Sequence, residues 1–363
     1  VKQLAQQAMD TARLRGARYA DIRIIESRSQ TAGVKDGAVD ALGDFESIGF
    51  GVRVLVGNSW GFASSADVTP EEVDRVTASA IEIARASAIV PGQPVDLGPP
   101  IRSTGTYVTP IEIDPFSVSI ESKLGLLFDA DAIIRRNRGV KVSEGRVISV
   151  RNRKTFASSE GALLEQTIYE CGGAIAATAV SGNDIQVRAY PDAFRCQGTG
   201  GWEYILNEKF TDHAERIASE AVALLSADVC PSLVTTLILD SSQLALQIHE
   251  SCGHPTELDR VYGTEAAFAG RSFLTTEKLG VLRYGSPIVN LTADSVRPGG
   301  LGTFGWDDEG IPASSTPLVK AGEFCGYLMS RETASQLKLQ SNGCMRADGW
   351  NRIPLIRMTN VSL

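Results

Sequence analysis

The densest chemistry in this sequence lies at His249-Glu250-Ser251-Cys252-Gly253-His254, followed directly by Pro255-Thr256-Glu257-Leu258-Asp259-Arg260. The chain has only three histidines, and two of them stand five residues apart here with a glutamate beside the first. An imidazole pair supplies two nitrogen ligands for zinc, and an adjacent carboxylate can take a proton from water activated by the ion. The spacing matters. In an H-E-x-x-H helix the histidines are four apart and share a face. Five apart, at 3.6 residues per turn, they point roughly 140° away from each other. A metal site therefore requires the helix to end, kink or bulge between them, and Gly253 is where that distortion costs least. The alternative is a helix end that carries two unrelated histidines. The third histidine, His213, opens a separate helical segment and reads as structural.

The elements that would position this motif come just before it. Leu233 to Asp240 (LVTTLILD) is a continuous apolar run of the kind buried on both faces of a sheet. Asp240-Ser241-Ser242 can cap a following helix, in which Leu244, Leu246 and Ile248 are expected to be buried. That helix delivers His249 and Glu250 at its far end. A rigid strand-to-helix support is what a metal constellation needs. Glu257 and Asp259 are candidates to orient a metal-bound histidine, with surface salt bridges as the alternative. Further on, Asp307-Asp308-Glu309 in Trp306-Asp307-Asp308-Glu309-Gly310 invites an acid/base or second-metal reading, but an exposed acidic turn is the favoured expectation. Gly299 to Gly302 lacks the G-x-x-x-x-G-K-[ST] pattern of a phosphate loop and reads as a turn or a surface that a peptide can approach.

At 363 residues the chain exceeds one ordinary core, so more than one domain is expected. Its 43% hydrophobic and 21% charged content is that of a globular protein. A net charge of -8 argues against a nucleic-acid footprint, which would need a basic stripe. The six cysteines are scattered without a C-x-x-C pair, which points to reduced thiols. No run of ~18 apolar residues occurs, so no membrane span is expected, and no signal peptide is visible. The chain does not begin with Met, so a removed leader stays open.

In order along the chain, residues 1 to about 15 have helical spacing with Gly16 as a stop. Asp21 to Glu26 and Glu46 to Val56 read as strands. Thr69-Pro70-Glu71-Glu72 is a capping box that opens a helix to about Ala88. Residues 91–110, rich in Pro, Gly and Thr, are the linker candidate. A long helix is expected from Asp114 to Arg138, then a β-meander over 140–150, 163–169, 174–180 and 185–190. A helix from Phe210 to about Leu225 completes this part. The domain reading is therefore 1–90 as an N-terminal α/β subdomain, 91–110 as linker, 111–226 as a second α/β subdomain, and 227–363 as the domain carrying the motif. The fold class is α+β, an N-terminal α/β region followed by a β-rich C-terminal domain.

HESCGHPTELDR resembles the HExxxH signature of the TldD/PmbA family, in which the TldD-like subunit is a zinc metalloprotease. Gly16-Ala17-Arg18-Tyr19-Ala20-Asp21-Ile22-Arg23 is similar to the family's N-terminal strand entry. Gly49-Phe50-Gly51-Val52-Arg53-Val54 with Trp60-Gly61-Phe62-Ala63-Ser64 resembles its hairpin. Trp306 to Ala313 (WDDEGIPA) resembles its D-D-E-G-x-P-A turn, and Arg357-Met358-Thr359-Asn360 its R-M-T-N segment. The resemblance implies zinc on His249 and His254, Glu250 as general base, and hydrolysis of short or unfolded peptides bound in extended form. It implies a third ligand from a C-G-K cysteine near the C-terminus. No C-G-K occurs here, so that ligand is expected beyond Leu363, and residues 1–363 by themselves are expected to hold an incomplete site. Also implied are a PmbA/TldE-like partner subunit or a homodimer, and a cytoplasmic location. The alternative is a non-catalytic partner subunit with an incomplete metal site. A regulator of nucleic-acid enzymes is disfavoured by the acidic charge.

Overall fold

The computed structural model describes residues 1–90, 92–192 and 196–363. Its first half is one long sheet with helices on one face. The elements are α1 (Lys2–Leu14), β1 (Tyr19–Lys35), β2 (Ala38–Val56), β3 (Ser59–Ser65), α2 (Pro70–Ser87), β4 (Thr104–Val108), α3 (Ile120–Ile134), β5 (Val140–Ser158), β6 (Leu163–Ser181), β7 (Asp184–Tyr190), β8 (Gln197–Thr199), α4 (Glu203–Asn207) and α5 (Phe210–Leu224). The strand order is β3-β2-β1-β5-β6-β4, with β7 and β8 also on β6, and only β4 pairs in parallel. Strands of 17 to 19 residues run roughly 60 Å, long enough to carry two separate helical layers. At one end α1 and α2 bury Ala8, Ala12, Val76 and Ile81 against Ile22, Ile24 and Val52. At the other, α3 and α5 bury Leu127, Ile134, Phe210 and Ile217 against Val34, Val147 and Ile175.

Strand alternation explains what the other face is for. Ala20, Ile22 and Ile24 point to the helices, so Tyr19, Asp21 and Arg23 point the opposite way, and all six are buried. The face with Asp21 and Arg23 meets the C-terminal part of the chain.

The strands expected at 21–26 and 46–56 are only the near ends of β1 and β2. In β2 residues 38–48 are mostly exposed, and in β1 a polar run from Glu26 to Thr31 interrupts the apolar period before Ala32 and Val34 return to the core. The segments expected at 163–169 and 174–180 are one strand, because Gly172 and Gly173 let neighbours press against β6: a Cβ on Gly172 would sit 2.6 Å from the Cys196 carbonyl. The helix expected from Asp114 starts at Ile120 instead. Asp114 holds a preceding turn by accepting from the Phe116 N–H, and Ser119 is the cap. Thr69 caps α2, but Glu72 turns to Arg75 rather than closing a capping box. The expected linker is built in: Val95 packs with Tyr19 and Leu55, and β4 joins the sheet, while Pro91 lies outside the described residues.

The C-terminal part contains α6 (Ser241–Ile248), α7 (Leu258–Tyr262), α8 (Ala266–Ala269), β9 (Leu291–Asp294), β10 (Ser315–Lys320), β11 (Glu323–Phe324), α9 (Arg331–Gln336), β12 (Met345–Arg346), β13 (Leu355–Ile356) and β14 (Asn360–Ser362). Its sheet has the order β11-β10-β9-β14 over a core of Leu258, Leu291, Leu318, Phe324 and Tyr327. The architecture is α+β.

Two expectations fail here. Leu233–Asp240 forms no strand and is exposed, with Val234 and Ile238 almost wholly so. A strand buried on both faces needs partners on both edges, and none is found among the described residues. Helix α6 buries none of its residues, so Leu244, Leu246 and Ile248 do not anchor it. It is fixed from its C-terminal end.

The acidic turn is also not exposed. Asp307, Asp308 and Glu309 are all buried, at the junction with the long sheet. Asp307 folds the turn by accepting from the N–H groups of Glu309, Ile311 and Met345, with Gly310 at φ +80. Asp308 accepts from Lys154 of β5 and lies 3.6 Å from Arg23. Glu309 takes Arg53 of β2 at 3.3 Å and the Arg331 N–H at 2.7 Å, while Arg53 holds Asp21 through two bonds. Buried carboxylates survive only when paired in this way.

Candidate metal centre

Asp240 caps α6, its carboxylate accepting from the Ser242 N–H and hydroxyl. At His249 the winding widens. Residues His249–Gly253 form a single π-helical turn, in which the His254 N–H donates to the His249 carbonyl five residues back. A turn that spends five residues rather than four brings positions 249 and 254 to one side of the helix. The two rings lie 4.6 Å apart at 85°. One nitrogen of each imidazole and one carboxylate oxygen of Glu250 all lie within 4.8 Å of one another.

Local sequence explains the bulge. Pro255 has no N–H to continue the ladder, and the chain tightens into a 3-10 turn at His254–Thr256. Thr256 is buried, and its hydroxyl donates to the Gly253 carbonyl. Gly253 lies against Met358: a Cβ there would be 1.9 Å from the Met358 Sδ. Backbone bonds from Leu328 N–H to Thr256 and from Leu258 N–H to Leu328 fasten the turn to the core.

Glu257 completes the geometry. It is fully buried, and its Oε2 lies 2.8 Å from His254 Nδ1 while accepting from Arg260 Nε at 2.5 Å. When Glu257 is ionised its carboxylate only accepts, so Nδ1 then carries the proton and the Nε2 lone pair is left for a ligand role. Burial pushes the Glu257 carboxyl up to about 7, opposed by Arg260. Burial lowers both His249 and His254, helped by the neighbouring imidazole in the first case and by Arg260 in the second. Both rings are thereby kept in the neutral form that binds metal.

Asp259 touches neither ring. It is buried, accepts from the Arg260 N–H, and is pushed up to about 6 by burial and by Glu257. His213 stacks on Tyr190 at 3.7 Å, away from the cluster. All six cysteines are free, and none joins the cluster among the described residues; Cys252 packs into the C-terminal core. Beside His249 opens a cleft of about 390 Å³, lined by Ala245, Ile248, Arg297, Met358 and Val361. Gly300 and Gly302 are pressed against Thr359 and Asn360, so this Gly-rich stretch supports the segment at 357–360.

Residue types alone did not disclose Glu265, Arg357 and Met358 as supports of this turn. The only signal was the R-M-T-N resemblance, which carries no geometry. Two neutral imidazoles and an unpaired carboxylate converging on one point form a donor set that fits a divalent cation and can move a proton beside it.

Comparison with known proteins agrees with this chemistry. Three family models match in chain order: PmbA/TldA metallopeptidase domain 1 over residues 20–84, the central domain over 113–225, and the C-terminal domain over 233–363. A metalloprotease of Methanocaldococcus jannaschii is 31% identical over 348 residues, 94% of this chain and 72% of its own. A Haemophilus influenzae metalloprotease TldD homolog is 24% identical, covering 94% and 69%. In fold, the chain resembles TldE from Thermococcus kodakarensis, with a TM-score of 0.68 and 16% identity over 99% of this chain and 76% of that one. A Thermotoga maritima protein described as a modulator of a DNA gyrase gives a TM-score of 0.73 at 18% identity, covering 97% and 76%.

Proposed function

The chain belongs to the PmbA/TldD metallopeptidase family, and on that premise we propose that it is a zinc-dependent peptidase subunit with His249 and His254 as ligands and Glu250 as general base. The observation that carries this reading is the π turn, which converts a five-residue spacing into a shared face. When bound, the ion supplies a Lewis acid for the scissile carbonyl and acidifies water at the site. Glu250, exposed and without a hydrogen bond or ion pair among the described residues, takes the proton and returns it to the leaving amine. Glu257 holds the proton on His254 Nδ1. Catalytic zinc takes three protein ligands plus water, and the family resemblance implies a cysteine as the third.

Residues 227–363 carry the chemistry in this reading, with 1–90, 91–110 and 111–226 as two supporting subdomains and their connection. Short or unfolded peptides are the substrates, entering the cleft beside His249. The partner is a TldE-like subunit or a second copy, in the cytoplasm; the likeness to TldE supports the first. No helix among the described residues is long and apolar enough to cross a membrane. One observation favours a second reading, a non-catalytic partner subunit: among the described residues only two histidines and one glutamate converge.

Zinc content and cleavage of an unstructured peptide, measured for the full-length gene product and its Glu250→Gln variant, separate the two. Zinc retained in both with cleavage lost in the variant supports the peptidase. No cleavage by either protein supports the non-catalytic subunit.

A further inference from the structure

The cluster is held from a distance. Glu257 shares one oxygen between His254 and Arg260, and its other oxygen has no partner. Its grip on the ring therefore depends on where Arg260 stands. Arg260 Nε also lies 3.5 Å from Glu265 Oε2, and the other Glu265 oxygen accepts from Arg357 Nη2 at 3.4 Å. Arg357 is anchored in turn by its own backbone: its N–H donates to the Cys344 carbonyl and its Nη1 to the Ile356 carbonyl. The charges alternate along the chain Glu257, Arg260, Glu265, Arg357 and sum to zero. The next residue, Met358, is the one that fills the space over Gly253. One short segment thus touches both the bulge and the far end of the ion chain that ends on His254.

Building on the metal reading above, we propose that Arg357 and Glu265 are positioning residues, which hold Arg260 against Glu257 and so fix the His254 ring with Nε2 facing the site. Without Arg357, Glu265 loses its anchor, and without Glu265, Arg260 loses its second carboxylate, so in either case the guanidinium no longer stands fixed beside Glu257. The carboxylate then loses its fixed place under Nδ1, and the ring is free to turn. Supports of this kind are worth about 10–100-fold in metal affinity when they act directly on a ligand.

The test uses the protein with 15N-labelled histidine, in which three histidines give three ring signatures. In the metal-free wild type, His254 is expected as the Nδ1–H form. Arg357→Gln and Glu265→Gln are each expected to shift it towards the Nε2–H form and to weaken cobalt(II) binding about 10-fold. Arg357→Lys restores both readouts. Arg188→Gln, which breaks a surface pair with Glu220, leaves both unchanged. Unchanged His254 signals in both site variants, whatever their melting temperatures, overturn the proposal. Should the wild type bind no cobalt(II), the metal reading fails, and the ring signals of the metal-free protein still decide this one.

Discussion

Two groups of carboxylates in this protein have opposite fates. At the junction of the long sheet and the C-terminal part, Asp21, Asp307, Asp308 and Glu309 are buried and met by Arg23, Arg53, Lys154 or a row of backbone N–H groups. In the turn at 249–260, Glu257 is buried and shared between a histidine and an arginine, while Glu250 is exposed and unmet. The first group is held by cations and backbone donors that tie two parts of the molecule together, although burial pushes Asp307 and Glu309 up and one Asp21 oxygen has no hydrogen-bond partner among the described residues. The second leaves one carboxylate and two imidazole lone pairs unspent around one point. Acidity along the sequence does not distinguish them; the supply of cations and donors around each does.

Substitutions can break or sharpen that contrast. The largest effect is expected at Glu250: Glu250→Gln lowers peptide cleavage by about 10²–10⁴-fold, with unfolding free energy within about 0.5 kcal/mol of wild type. A comparable loss of stability, read by urea unfolding, would place Glu250 with the structural acids. Next, Arg53→Met strands Asp21 and Glu309 and costs about 3–5 kcal/mol of stability, read by the same titration. A variant as stable as wild type would show that the junction does not depend on its charges.

A third effect is pH-dependent. Asp259 is raised to about 6, so the native state holds its proton more tightly than the unfolded chain. The stability this contributes is fully present below the unfolded value of ~3.9 and is lost as pH rises through about 6, an effect of roughly 2–3 kcal/mol. Unfolding measured from pH 4 to 8 should show this fall and a flatter profile for Asp259→Asn, with the remaining slope shared by Glu257 and Asp307, both raised to about 7, and by Glu309 and Glu170, also raised. The smallest effect is at the bulge. Gly253→Ala drives a Cβ onto Met358 and costs about 1–3 kcal/mol, and Met358→Ala in the same chain recovers part of it.

The sequence made the site partly legible because its constraint is local. Histidines five positions apart cannot share an α-helical face, and Gly253 names the place where the helix must give way. The cap at Asp240 and the helices at 70–87 and 210–224 were equally readable from neighbouring residues. The burial of Asp307 to Glu309 was not, because the residues that neutralise them lie some 150 to 290 positions earlier on β1, β2 and β5. The fate of Leu233–Asp240 was misread for a related reason: an apolar run states what it needs, and only the fold states whether a partner is there. The length of β2 was hidden by residues 38–48, which are mostly exposed, and that of β1 by the polar run from Glu26 to Thr31.

The central claim is that one ion sits between the rings of His249 and His254. Crystals grown with zinc and measured at its absorption edge test it directly. The account predicts one anomalous peak about 2.0–2.1 Å from a nitrogen of both rings. A peak bonded to one ring alone, or none between them, would contradict it.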